Sequence, residues 1–245
     1  MRYQRHLQTA FLLTLFPGLA LAQEALGQDV DDVGFKILTG LGVQATDNLL
    51  ATSSGQSSDV ITTGTLGLSL KAAQSRQSLA LNAIVSDNRY DVHQDWNYIG
   101  TNFSGGWQWS SGTGFKGAVT GSHVPVVTQN IAAVNASNTQ RNLNTTQNSL
   151  VALGYELNGG WDLNSGLVYS SSKNENSVIG QQNFQYSGAY VGATYNFRSG
   201  NALTLTTQTA TGSNAYDYVV HSNELKFTTP VQDTMTLTWQ LLYWN

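Results

Sequence analysis

The chain has 245 residues, carries 11 Lys and Arg against 15 Asp and Glu, and is only 11% charged. Soluble domains run near one quarter charged, while disordered chains are poor in aromatics, so a chain 40% hydrophobic and 10% aromatic fits neither class. The acidic balance excludes a basic nucleic-acid surface, and the absence of cysteine excludes disulfides and thiolate metal sites.

Residues Met1 to Ala22 read as a secretory signal peptide. Arg2 and Arg5 supply the positive start, Ala10 to Leu21 the apolar stretch, and Ala20-Leu21-Ala22 a small-x-small cleavage site. Pro17-Gly18 interrupts a run too short to span a bilayer. Without Arg2 and Arg5 the mature chain from residue 23 to 245 has nine cationic and fifteen acidic side chains, a net charge of −6. No later stretch is long and apolar enough for a membrane helix, so any crossing must be made by strands.

From Val33 onward, side chains alternate. Val33, Phe35, Ile37, Leu41 and Val43 fall on odd positions, and the next run reverses parity with Val60, Leu66, Leu68 and Leu70 on even ones. Leu79 to Val85, Ile99 to Trp109, Phe115 to Val119, Val151 to Leu157 and Trp161 to Tyr169 follow. Phe184 to Phe197 is of mixed parity, as a bulge would produce. Leu203 to Thr207, Val219 to Phe227 and Met235 to Tyr243 complete the series. Period two with Thr and aromatic enrichment predicts about eleven strands of roughly 9 to 15 residues, long enough to cross a bilayer when tilted.

The predicted connections alternate in length. Asp47–Ser58, Asp91–Trp96, Gln129–Asn144, Ser170–Gln182 and Thr211–Asp217 are each longer than any of Gln74–Gln77, Ser110–Gly114, Asn158–Gly160, Arg198–Asn201 and Pro230–Asp233. Short turns on one side and long loops on the other mark an antiparallel, up-and-down transmembrane β-barrel. Such barrels have even strand numbers, so eleven visible strands imply 12 or more in a complete barrel: either one further strand escapes the pattern, or at least one closing strand is missing on the C-terminal side.

The parity opposite the apolar one would line the interior. It carries Thr63, Thr65, Asn82, Asn88, Asn102 and Gln108, groups that both donate and accept hydrogen bonds and therefore suit sugar hydroxyls. Rings of like charge, the mark of an ion filter, are missing from the pattern. Trp96, Tyr98, Trp107, Trp109, Trp161, Tyr169, Tyr186, Trp239 and Tyr243 fall near strand ends, where an interfacial girdle belongs. Tyr90 and Trp96, beside an outer loop, are the aromatics best placed to touch a ligand.

Chemistry is sparse. His93, His123 and His221 show no metal spacing, and no GxSxG elbow occurs. Ser122 and His123 are adjacent and point to opposite faces of a strand. Asp87, Asp91 and Asp95 could offer oxygens to calcium, but their spacing matches no EF-hand, and a solvated loop accounts for them. No base with its orienting acid can be picked out, so the reading is of a protein without enzymatic activity and without a cofactor.

Asp47-Asn48-Leu49, Gly67-Leu68-Ser69-Leu70, Ser75-Arg76-Gln77-Ser78-Leu79-Ala80-Leu81, Arg89-Tyr90, Asp95-Trp96-Asn97-Tyr98 and Trp107-Gln108-Trp109 resemble the outer-membrane barrels of exosortase-linked exopolysaccharide operons, the EpsL-like family. The likeness runs from Asp47 to Thr128; the second half is similar in texture only. It implies a place in the outer membrane of a Gram-negative bacterium and a part in exopolysaccharide biosynthesis or export, with outer-membrane lipid, the polysaccharide and periplasmic export machinery as partners. It carries no catalytic residues over. The other functions open to such a barrel are a general or substrate-specific diffusion porin and a non-conducting surface interaction barrel.

Overall fold

The computed structural model describes residues 34–49, 57–128, 141–176, 183–214, 217–232 and 235–244. The signal peptide and the start of the mature chain lie outside them. Eleven strands follow one another: β1 Gly34–Thr46, β2 Asp59–Gln74, β3 Gln77–Tyr90, β4 Tyr98–Ser110, β5 Phe115–Thr128, β6 Asn142–Leu157, β7 Trp161–Asn174, β8 Phe184–Asn196, β9 Ala202–Ser213, β10 Asp217–Gln232 and β11 Met235–Trp244. One 3₁₀ turn, Gln94–Trp96, precedes β4. No helix among the described residues is long and apolar enough to cross a membrane.

Every strand pairs antiparallel with its sequence neighbour, giving one meander in the order β1 to β11. Two-residue and other short turns favour this outcome, because hairpin closure over a few residues costs little chain entropy. Among the described residues the sheet is open: each of β1 and β11 has a ladder on one side only, and no ladder joins them. The antiparallel up-and-down arrangement is therefore present, and closure into a barrel is not.

The register sorts side chains onto two faces. Leu66 opposes Val85, Leu79 opposes Trp107, Leu153 opposes Gly117, and Leu225 opposes Leu205 on the apolar face. Thr65 opposes Ser86, Asn82 opposes Ser104, and Asn144 opposes Asn174 on the other. Ile84, Leu150, Val168 and Val220 interrupt that polar face without changing its character. Leu41, Leu66, Phe103, Leu153, Leu167 and Leu205 stand exposed. By contrast Gln208, Ala210 and Gly212 on the polar side of β9 are buried between exposed neighbours. Extended contacts run only between successive strands. With no second layer among the described residues to cover the polar side chains, their lower exposure means that the sheet curls toward them. The polar face is concave.

Two expectations are corrected. β8 is not bulged: its register with β7 and with β9 is continuous, and its mixed parity comes from tyrosines on the polar face. The length alternation holds for four of the five long connections and fails at 214–216, because β9 continues to Ser213 and shortens that loop below the 197–201 turn.

Candidate functional site

Thr63, Thr65, Asn82, Asn88, Asn102 and Gln108 all lie on the concave polar face. They are spread along β2, β3 and β4 rather than gathered at one point. Thr63 Oγ1 donates to Asn88 Oδ1 at 3.0 Å, and Asn82 Nδ2 donates to Ser104 Oγ at 3.5 Å. The same chemistry continues across β6 and β7, where Asn144 Nδ2 donates to Ser172 Oγ at 2.8 Å and to Asn174 Oδ1 at 3.0 Å. Near the short-turn end Lys116 Nζ donates to Glu156 Oε1 and Asp162 Oδ1, each at 3.1 Å. The charges there are mixed in sign.

The concave face also holds aromatic rings, among them Tyr186, which the sequence places in the interfacial girdle. Tyr186 stands opposite Ser170 and Gly212, so it belongs to the polar face and not to an outer girdle. Tyr190 stands opposite Gly166, and Tyr218 opposite Gly212. A Cβ at Gly166 would meet Tyr190 Cε1 at 2.5 Å, and one at Gly212 would overlap the Tyr218 ring. Glycine on one strand thus makes room for a tyrosine lying across from the next, as in aromatic rescue of sheet glycines. Gln208 Nε2 donates to Tyr186 Oη, which fixes that ring's tip. Gly212→Ala is expected to lower stability by about 1–3 kcal/mol through overpacking. Adding Tyr218→Ala to it should recover most of the loss, read as the urea midpoint of the refolded protein.

On the apolar face, aromatics collect at the short-turn end. Ring centroids lie 4.5 Å apart for Trp107 and Trp109, 4.5 Å for Phe115 and Tyr155, 4.9 Å for Trp161 and Tyr195, and 4.8 Å for Tyr195 and Phe197. Expected belt members Trp107, Trp109 and Trp161 are part of this group, while Tyr169 lies farther along the apolar face. The side chains of Trp239 and Tyr243 lie outside the described residues. At the opposite end the apolar face becomes charged: Arg89 Nε and Asp87 Oδ1 pair at 2.8 Å, and Lys173 and Asp217 stand at the same end of their strands.

Tyr90 and Trp96, expected to meet a ligand, are instead packed away. Trp96 is 2% exposed and meets Tyr90 edge-on with centroids 5.9 Å apart; Leu49 completes the cluster, with Tyr98 against it. These rings form the core of the loop between β3 and β4. Neither offers a free face.

What holds that loop is Asp59, the first residue of β2. The register Ile61 to Tyr90 carries Asp59 alongside the chain leaving β3. Its carboxylate is fully buried and accepts from the backbone N–H of Val60 (2.7 Å), Asp91 (3.0 Å), Val92 (3.1 Å) and His93 (2.9 Å). His93 Nδ1 lies 2.7 Å from Asp59 Oδ2, and His93 Nε2 lies 3.1 Å from Ser57 Oγ. Burial pushes the Asp59 carboxyl up, but hydrogen bonds from the backbone of Val92 and His93, from the His93 ring and from Val60 outweigh it. They hold its pKa at about 2, against an ordinary 3.8. Asp59 lies beyond Thr62, the partner of Arg89, and so beyond the charged limit of the apolar face.

Ser57 and Asp59 carried no signal in the sequence, because their partner His93 is more than thirty residues away and reaches them only through hairpin register. Asp87, Asp91 and Asp95 do not converge; no group of three His, Cys, Asp or Glu suited to a metal occurs among the described residues. No protein-family model, curated protein or solved structure matches the chain.

Proposed function

We propose that this protein is an outer-membrane β-barrel serving exopolysaccharide export, with its concave face turned to the passing glycan. The observation that carries the reading is the division of one single-layer sheet into an exposed apolar face, edged by clustered aromatic rings, and a concave face of hydroxyl and amide groups. A water-soluble fold would have to hide that apolar face, since soluble monomers rarely expose large contiguous apolar patches. Lipid has no such requirement. From Ser78 to the Asp87–Arg89 pair the strand runs nine residues, roughly 30 Å at 3.3 Å per residue, or about 23 Å of height at a 40° tilt. That is close to the roughly 25 Å apolar band of transmembrane barrels. A closed barrel needs a partner for the free edges of β1 and β11, because unpaired backbone groups in hydrocarbon cost several kcal/mol each.

Inside, neutral donors and acceptors exchange hydrogen bonds with sugar hydroxyls without the charge selectivity of an ion filter. Tyr186, Tyr190 and Tyr218 add apolar ring surface for sugar faces. Driving force would come from synthesis at the inner membrane. A strain lacking the gene is expected to retain polysaccharide inside the cell and lose it from the surface, with restoration by the wild-type copy. Unchanged surface polysaccharide would remove the export function. Steady ion conductance in planar bilayers, unaffected by added polysaccharide, would favour the diffusion-porin alternative.

A further inference from the structure

The residues around the β2 start have a use that loop-holding does not require. We infer that Ser57, His93 and Asp59 form a nucleophilic relay that hydrolyses carboxylic esters at the long-loop end of the concave face. Three observations converge. Ser57 Oγ, His93 Nε2, His93 Nδ1 and Asp59 Oδ2 form an unbroken hydrogen-bonded chain, 3.1 Å and then 2.7 Å. The acid at its far end is wholly buried and immobilised by four backbone N–H groups, whereas the nucleophile at its near end is half-buried and reachable. The imidazole between them is 19% exposed and backed by the buried Trp96 ring, with centroids 6.2 Å apart. Nucleophile, base and orienting acid therefore stand in the order that acyl transfer needs, and such triads are recognised by geometry and role rather than by position in the sequence.

The protons follow from the donor inventory. An ionised carboxylate only accepts, so Asp59 keeps the proton of neutral His93 on Nδ1 and leaves the Nε2 lone pair for the Ser57 hydroxyl. Ser57 Oγ attacks the ester carbonyl carbon as its proton passes to Nε2. The carbon–oxygen bond to the alcohol then breaks, and the imidazolium returns the proton to the departing alkoxide, leaving the acyl group on Ser57. Water, giving a proton to Nε2, attacks that acyl carbonyl. Ser57 Oγ departs, recovers the proton, and a carboxylic acid is released.

The relay lies on the polar side of the sheet, since Asp59 shares its parity with Thr63 and Thr65 and lies past the charged end of the apolar face. A hydrophilic carrier such as an O-acylated sugar fits that position better than a lipid tail. This choice of carrier rests on the export reading; the relay itself does not.

The test uses the full-length mature protein, refolded in detergent micelles. A fluorophosphonate probe is expected to label Ser57, located by peptide mapping, and the protein should release acetate from an O-acetylated oligosaccharide. Ser57→Ala should abolish both, and His93→Ala should slow both by about 10³-fold or more. Absence of label at Ser57 in protein whose strand circular dichroism is intact would overturn the relay. So would labelling or turnover unchanged in Ser57→Ala. Fatty-acid release from phosphatidylcholine without acetate release from the oligosaccharide would overturn the assigned carrier. Polysaccharide retention in the deletion strain is read separately, so a Ser57→Ala strain that still exports would separate the two readings.

Discussion

Asp59→Ala is expected to free the loop between β3 and β4 and to cost about 3–4 kcal/mol, among the largest effects of any single change here. The substitution removes the shared acceptor of Val60, Asp91, Val92 and His93 N–H groups and of the His93 ring. Asp91 N–H retains a bond to Val60 O at 3.1 Å, while the Val60, Val92 and His93 N–H groups lose their carboxylate acceptor. Trp96 and Tyr90, whose burial depends on the path of that loop, should become accessible. Faster amide exchange over residues 91–97 and a red-shifted tryptophan emission check this; unchanged exchange would show that the aromatic cluster holds the loop by itself. The same anchor is pH-sensitive in a defined direction. With its folded value lowered to about 2 from 3.8, the carboxyl stabilises the loop fully above pH 4, and this contribution is lost as pH falls toward 2. A shift of that size corresponds to about 2 kcal/mol. Loop exchange in the wild type should therefore accelerate on acidification, and Asp59→Ala should not show that dependence.

Alternation was enough to read the strands and the polar face because it reflects one physical demand applied repeatedly, an apolar surface on one side and a wet one on the other. Thr63, Thr65, Asn82 and Gln108 obey that demand individually, so each was legible where it stood. Tyrosine does not. Its ring suits either face, and Tyr190 and Tyr218 turn to the concave side where Gly166 and Gly212 leave room beside them, a fact about the neighbouring strand. The same limitation explains Trp96: its burial depends on Leu49, from the connection between β1 and β2, and on Tyr90, the last residue of β3. Ser57, Asp59 and His93 were least legible. Their meeting needs the β2–β3 register and the fold of the following loop together, and neither Ser-x-Asp nor a lone histidine signals it.

Leu81→Arg and Asn82→Arg, adjacent on β3 and on opposite faces, should differ by more than any side-chain preference of strands can explain. Leu81 opposes Gly105 and Leu70 on the apolar face and stands exposed there, its Cδ2 close over the glycine. Four residues from the short turn, it lies roughly 13 Å along the strand, or about 10 Å of height at a 40° tilt, near the centre of the apolar band. Arginine at such depth costs about 2–4 kcal/mol in transmembrane barrels. Asn82 faces Ser69 and Ser104 on the concave side, where a guanidinium meets water and hydroxyls. Its replacement should change stability by less than about 1 kcal/mol. Refolding into phosphatidylcholine vesicles followed by urea titration measures both. The difference should vanish in detergent micelles thin enough for the arginine to reach water. Equal losses for the two variants in vesicles would mean that the apolar face does not meet hydrocarbon. The face would then have to be covered by protein, and both the crossing of the membrane and the orientation of the polar side toward a glycan would be wrong.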